Sequence, residues 1–517
     1  MKKLLSFIIV LTMVLSLGTA MMFNASAAWE GGVATGFTGG TGTEADPYLV
    51  STSQELALIA KMTNEDADTC EGKYFKQIND IDLAGITWLP IGAYLNKTEI
   101  FKGHYDGDGH TVSGLKVETN GTYAGLFGRI VGATVKNLNV KGTLVSSTVA
   151  GKTVYSGGIV AYGIDGTKII NCTAEVDLVA GTTAGGVVGR MQNTDANNPW
   201  GEITACFFRG RVESVSTKNC FAGGITGVAG ATVIKYCGNY GTIVGCGATT
   251  MSLAGGIMGC QGAENITCHI YNCFNLGDVS VVSTANATYA GGIVGRAAHI
   301  QDYVNAANIV SCFNANKNIV VYDESGNVMA DGKMGSLVGH IRYIASISNC
   351  YVCVPTTEMS DVYLDDGACV EAGNITVITD AQMKGADAVA TMKLNEAWVA
   401  GSDYPTIDVA KALTIVDAPV EEDTTPAETE PVDTPVETEP VDTPAETEPV
   451  DTPAETPTET EPVDTPDETT PDETEPSDTE PAPGGNKTFL FVAMGVVAVV
   501  AVVLIVVVAV TEKKKVK

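Results

Sequence analysis

Residues 101–115 read FKGHYDGDGHTVSGL. His104, Asp106, Asp108 and His110 fall within seven residues and are separated by glycine and tyrosine. Carboxylates and imidazoles at that density are the material of a metal site or of acid–base chemistry. A calcium loop of the EF-hand kind would need an oxygen ligand at its fifth position and glutamate at its twelfth, where His110 and Val117 stand. Glycan hydrolysis needs two carboxyl groups flanking one bond. Asp106 and Asp108 come from a single turn, and no second carboxylate cluster recurs in register with them. The same residues also make a corner: Gly107 and Gly109 tolerate positive φ, aspartate caps its own turn, and HTVSGL starts an extended run. A chain corner is therefore the preferred reading and no catalytic residue is assigned; Asp106 and Asp108 are the candidates that compete with it.

Little else in the chain offers reactive chemistry. The remaining histidines, His269, His299 and His340, are scattered, and no His-Glu-x-x-His occurs. Cys350-x-x-Cys353 has no second such pair, so zinc is not expected. No cofactor and no metal is expected.

The elements around the corner form a repeat array. One block recurs as YAGLFG at 123, SGGIVA at 156, AGGVVG at 184, AGGITG at 222, AGGIMG at 254, AGGIVG at 290 and MGSLVG at 334. A second block follows each copy, seen in full as IYNCFNLGDV at 270–279. Aligned copies give aliphatic columns. One is Leu126, Ile159, Val187, Ile225, Ile257, Ile293 and Leu337; another is Val135, Ile169, Ile203, Ile234, Ile270, Ile309 and Ile347; a third is Leu144, Leu178, Val212, Ile243 and Val279. Spacing between columns varies while their chemistry does not, as stacked coils with outward loops require. The segments are short, rich in Val, Ile and Thr, and alternate with period two, so they are strands. The expected fold is all-β: a right-handed parallel β-helix, with a propeller as the main rival. STSQELALIAKM predicts a short capping helix with Leu56, Ile59 and Ala60 on one face, and the segment near 392–407 is expected to close the other end.

Six of the thirteen cysteines follow the repeat: Cys172, Cys206, Cys237, Cys273, Cys312 and Cys350, with Leu138 in the same column of the first copy. A column shared by Leu and Cys points inward, which reads as buried thiols acting as small hydrophobes. Bonding between neighbouring coils is the alternative.

The ends predict export and anchoring. Residues 1–27 carry Lys2 and Lys3, an apolar run and a small-residue exit at Ala25 and Ala27, the pattern of a signal peptide. The apolar run 489–510 is long enough to span a bilayer, and the basic tail 511–517 places the rest of the chain outside. Residues 418–486 repeat ETEPVDTP and hold 23 acidic residues between Glu421 and Glu480 with no Lys or Arg, a disordered stalk. Of the net charge of −31, residues 28–417 account for 37 acidic against 23 basic residues. That balance excludes a nucleic-acid partner. The ectodomain divides into an N-terminal capping unit (28–122), the repeats (123–355) and a C-terminal capping region (356–417).

The residue after the first block is Arg129, Tyr162, Arg190, Val228, Cys260, Arg296 and His340. By alternation this column faces away from the core. Arg129, Tyr162, Arg190, Arg296 and His340 are the ligand candidates, since Tyr stacks on sugars and Arg pairs bidentately with carboxylate or sulfate. The competing reading is an ordinary solvated face.

The AGLFG and AGGIVG blocks, the opening DPYLVSTSQELALIA, YFKQINDIDL, WLPIG and FKGHYDGDGHTVSGL, and the closing LNEAW and YPTI together resemble the GLUG-motif repeat proteins of bacterial cell surfaces. The resemblance covers roughly 40–350. It implies a β-helix surface protein, adhesive or carbohydrate-associated, and supplies no catalytic residues. The expected function is adhesion or glycan binding by a protein held in the plasma membrane, with a polysaccharide or a cell-surface glycoprotein as partner. A polysaccharide lyase or glycoside hydrolase on the same fold and a structural surface coat are the alternatives.

Overall fold

The computed structural model describes residues 31–415 except 96–97, 120, 147–152, 195–197, 248–249, 263–267, 284, 286, 298–307, 317, 324, 330–333, 342–345, 354–359 and 365–374. The expected signal peptide, stalk, membrane span and basic tail lie outside the described residues. Among the described residues no helix is long and apolar enough to cross a membrane.

Each repeat forms one coil. A representative coil runs through the strands Thr183–Gly185, Val188–Gln192, Gly201–Thr204 and Phe207–Val215. None of these pairs with another strand of its own coil. Each pairs in parallel with its counterpart one coil on: Thr183 with Phe221, Arg190 with Val228, Gly201 with Thr232 and Phe207 with Gly238. That pairing makes a β-solenoid and rules out the propeller, whose blades pair within a repeat. Three long sheets result, of 10, 14 and 13 strands among the described residues. The 14-stranded sheet holds both halves of the glycine block as two adjoining ladders, which meet at Met334–Ile341.

The aliphatic columns are ladders in register. Val135, Ile169, Ile203, Ile234, Ile270, Ile309 and Ile347 are successive Cα partners. They belong to one continuous core together with the columns of Leu126 and Leu144. Burying each such side chain contributes about 1.5–3 kcal/mol relative to exposure, and stacking lets every coil do so against the next.

The paired glycines are fixed by two close approaches. A Cβ on Gly255 would lie 2.0 Å from the Met258 carbonyl oxygen, and one on Gly256 would lie 2.4 Å from Asn275 Cγ. Asn275 belongs to a buried ladder that sequence reading did not single out. Asn239 Nδ2 donates to Asn275 Oδ1 at 2.7 Å, and Asn275 Nδ2 donates to Asn314 Oδ1 at 2.9 Å. Each amide also bonds the backbone two residues on, so these polar groups are satisfied inside an apolar core.

The repeat cysteines are fully buried and free of disulfides. Each thiol donates to the carbonyl two residues back and to a carbonyl of the preceding coil, as Cys237 does to Lys235 at 3.2 Å and to Ile203 at 3.5 Å. The residue before each is left-handed: Asn171, Ala205, Tyr236, Asn272, Ser311 and Asn349 have φ of 51–56°. A small apolar group with a weak donor suits the inside of such a corner.

Helix Ser53–Asn64 caps the first coils as expected. Thr52 is the N-cap, and Glu55 closes the reciprocal capping box. Leu56, Ile59 and Ala60 join the main core. At the other end, strand Ile375–Ile378 extends a sheet beside Cys350–Cys353, and the following segment packs against the flank of the later coils. Phe274, Phe313 and Tyr351 stack outward in register. Trp398 covers Phe274 and Phe313 at centroid distances of 5.7 and 5.4 Å, and Asn395 bonds the Tyr236 hydroxyl. An outward apolar column needs cover, and the C-terminal segment provides it.

Candidate functional site

The aspartates of the opening motif sit at a corner. Strand His104–Asp106 ends there, and Asp108 has φ of 49° followed by Gly109 at 84°. Asp106 Oδ1 accepts from the Asp108 amide and from Asn137 Nδ2, both at 2.9 Å, and Lys136 Nζ lies 3.3 Å from Oδ2. Burial acts to raise the pKa of Asp106; the bonds from Asn137 and Asp108 and the Lys136 charge outweigh it and hold the carboxyl below its ordinary range. Asp108 pairs with Lys76 at 3.0 Å. The Asp106 carboxyl, held low, is not poised as a general acid, and both carboxyls are engaged by neighbours at the corner. No group of three or more metal-binding side chains occurs among the described residues.

Arg129, Tyr162, Arg190, Val228, Cys260, Arg296 and His340 form one ladder in register on the side away from the main core. The expected solvent exposure is corrected. Tyr162, Arg296 and His340 are buried, and Arg129 and Arg190 are half-buried. The cover comes from a flanking column: Tyr123, Tyr155, Thr183, Phe221, Leu253 and Tyr289 are successive partners six or seven residues earlier in each coil. These side chains lean over the stripe, so a single-column reading missed them.

Two parts of this outer layer differ in chemistry. Around the later coils, His340 stacks on Tyr289 at 4.2 Å, and Arg296 Nη1 lies 3.1 Å from Met251 Sδ. Around the first coils, tyrosines and arginines interleave. Tyr155 stacks on Tyr162 at 5.0 Å and on Tyr123 at 5.7 Å, and Tyr94 meets Tyr123 edge-on. The Arg129 guanidinium sits 4.2 Å over Tyr94, and Arg190 donates to the Tyr155 hydroxyl at 3.1 Å. Burial pushes the Tyr123 phenol up to about 12 although Arg129 opposes it, and the charge of the layer is that of the arginine guanidinium groups. Because the rings stack on one another, their faces are used up. The surface offers hydroxyl edges and guanidinium N–H groups, which suit carboxylate or sulfate better than ring stacking.

No protein-family model matches the chain. A protein of Evansella cellulosilytica, provisionally named a Gly-rich membrane protein, is 34% identical over 139 residues, 25% of this chain. The halomucin of Haloquadratum walsbyi is 27% identical over 176 residues, 32% of this chain. The matched regions amount to 15% and 2% of those proteins, so the chain spans a small part of either relative. A crystal structure from Bacteroides ovatus, provisionally described as an immunoglobulin A1 protease, superposes with a TM-score of 0.50 at 19% identity. The match covers 72% of this chain and 95% of that one. This last likeness is one of fold.

Proposed function

We propose that the chain is a membrane-anchored cell-surface protein of the GLUG-repeat kind, whose right-handed β-helix binds acidic glycans. The observation that carries the reading is Arg129. It lies over tyrosine rings and makes no ion pair with a carboxylate among the described residues, on a protein with a large excess of acid. A half-buried guanidinium held by rings presents its N–H groups to an external anion. The apolar run 489–510 and the name of the Evansella relative support a membrane location. A polysaccharide or a glycoprotein rich in uronate or sulfate supplies the ligand chemistry.

The test is electrophoresis of the full-length protein through gels cast with uronate-bearing, sulfated and neutral polysaccharides, alongside assay of new reducing or unsaturated ends. Retardation by an acidic polymer, relieved by salt and by Arg129→Ala with Arg190→Ala, is the expected result. Chain cleavage would replace binding with an enzymatic reading. The absence of both retardation and cleavage would move the assignment to a structural coat.

A further inference from the structure

A different face of the solenoid carries a second cluster. Glu202, Val233, His269 and Asn308 are successive partners on its outer side, and Thr204, Lys235, Tyr271 and Val310 form the adjacent column. Trp200 lies just ahead of strand Gly201–Thr204 and reaches across the intervening coil to stack on His269, with centroids 4.9 Å apart and planes 15° from parallel. His269 in turn stacks on Tyr271 at 5.4 Å. Trp200 is half-exposed, whereas Trp88 and Trp398 are buried.

The polar groups form a relay. The Tyr271 hydroxyl lies 2.9 Å from His269 Nδ1, and Asn308 Nδ2 donates to the Tyr271 oxygen at 3.2 Å. Burial lowers the pKa of His269, so the imidazole is neutral at pH 7. One hydrogen is shared between the Tyr271 oxygen and His269 Nδ1, its direction set by the imidazole tautomer. One coil back, Lys235 Nζ and Glu202 Oε1 lie 3.8 Å apart, adding a donor and an acceptor. A half-exposed indole on a flat sheet, beside a fixed imidazole, phenol and amide and a self-compensating Lys–Glu pair, matches a ring with an apolar C–H face and a rim of hydroxyls.

We propose that Trp200, His269, Tyr271 and Asn308 form a second carbohydrate site, which takes a neutral pyranose on the indole face. It rests on the glycan-binding reading but uses a different face and a different sugar chemistry from the Arg129 layer. The test is tryptophan fluorescence of the full-length protein titrated with neutral polysaccharides (a glucan, a mannan and a galactan) and with one uronate polymer. Trp29 is replaced by Phe to clear the background. A neutral polymer should shift the emission, and in gels cast with that polymer Trp200→Ala should weaken its binding about tenfold. Tyr271→Phe, which removes only the relay hydroxyl, should weaken it about threefold. Retardation by the uronate polymer should stay within about twofold in both variants, which also reports that they are folded. Neutral-polymer binding indifferent to both substitutions would overturn the second site and leave glycan binding standing. So would binding of the uronate polymer alone. Binding of no polymer would remove both readings.

Discussion

Asn137 donates its side-chain amide to Asp106 Oδ1 at 2.9 Å, and Asn171 repeats the contact one coil on by donating to Asn137 Oδ1 at 2.8 Å. The aspartate that looked catalytic is the first rung of a side-chain ladder running along a corner of the solenoid. Asp106→Ala should therefore lower stability by about 1–2 kcal/mol, measured by urea unfolding, with no effect on glycan retention. Because the pKa of Asp106 is held down in the folded protein, its contribution is present above the ordinary carboxylate range. It is lost as pH falls through the depressed value. Asp106→Ala should thus differ most from the parent at neutral pH and converge with it in acid.

The glycine block makes a sharper prediction. A Cβ at Gly256 would lie 2.1 Å from the Gly292 carbonyl oxygen and 2.4 Å from Asn275 Cγ, and no rotamer relieves a clash with backbone. Gly256→Ala should cost about 3 kcal/mol or more in unfolding free energy. Gly109→Ala, at φ of 84° but with open space around it, should cost only about 1–2 kcal/mol. Equal effects would mean that packing across the core is not what selects glycine.

Asn275→Ala removes both partners of the neighbouring amides and strands the Gly277 amide and carbonyl in the core. The expected loss is about 3 kcal/mol, several times that of an exposed asparagine such as Asn327. A loss under about 1 kcal/mol would show that water replaces the amide.

The thiol column should be chemically silent. Burial pushes Cys172, Cys206, Cys273 and Cys350 well above the ordinary thiol range. The same burial acts on Cys237 and Cys312, whose side-chain partners are neighbouring thiols. At pH 8 an alkylating reagent should leave all six unmodified in the native protein and label all six in denaturant. Intact mass loss of two hydrogens per pair before labelling would reveal disulfides between coils.

Much of this protein is legible from one chain because a solenoid is nearly one-dimensional. Each coil repeats the demands of the last, so columns such as Ile169, Ile203 and Ile234 declare an inward position before any coordinates exist. The corner at Gly107 and the capping box of Thr52 and Glu55 are local, and local backbone chemistry shows in sequence. The remaining features join columns that sequence spacing keeps apart. Tyr155 covers Tyr162 and Arg190 because side chains lean across a sheet. Trp200 reaches His269 by crossing a coil, and Trp398 finds Phe274 and Phe313 through a fold-back of more than eighty residues. Alternation told which way Arg129 points. Only packing decided what lies over it, because burial depends on neighbours that the period does not contain.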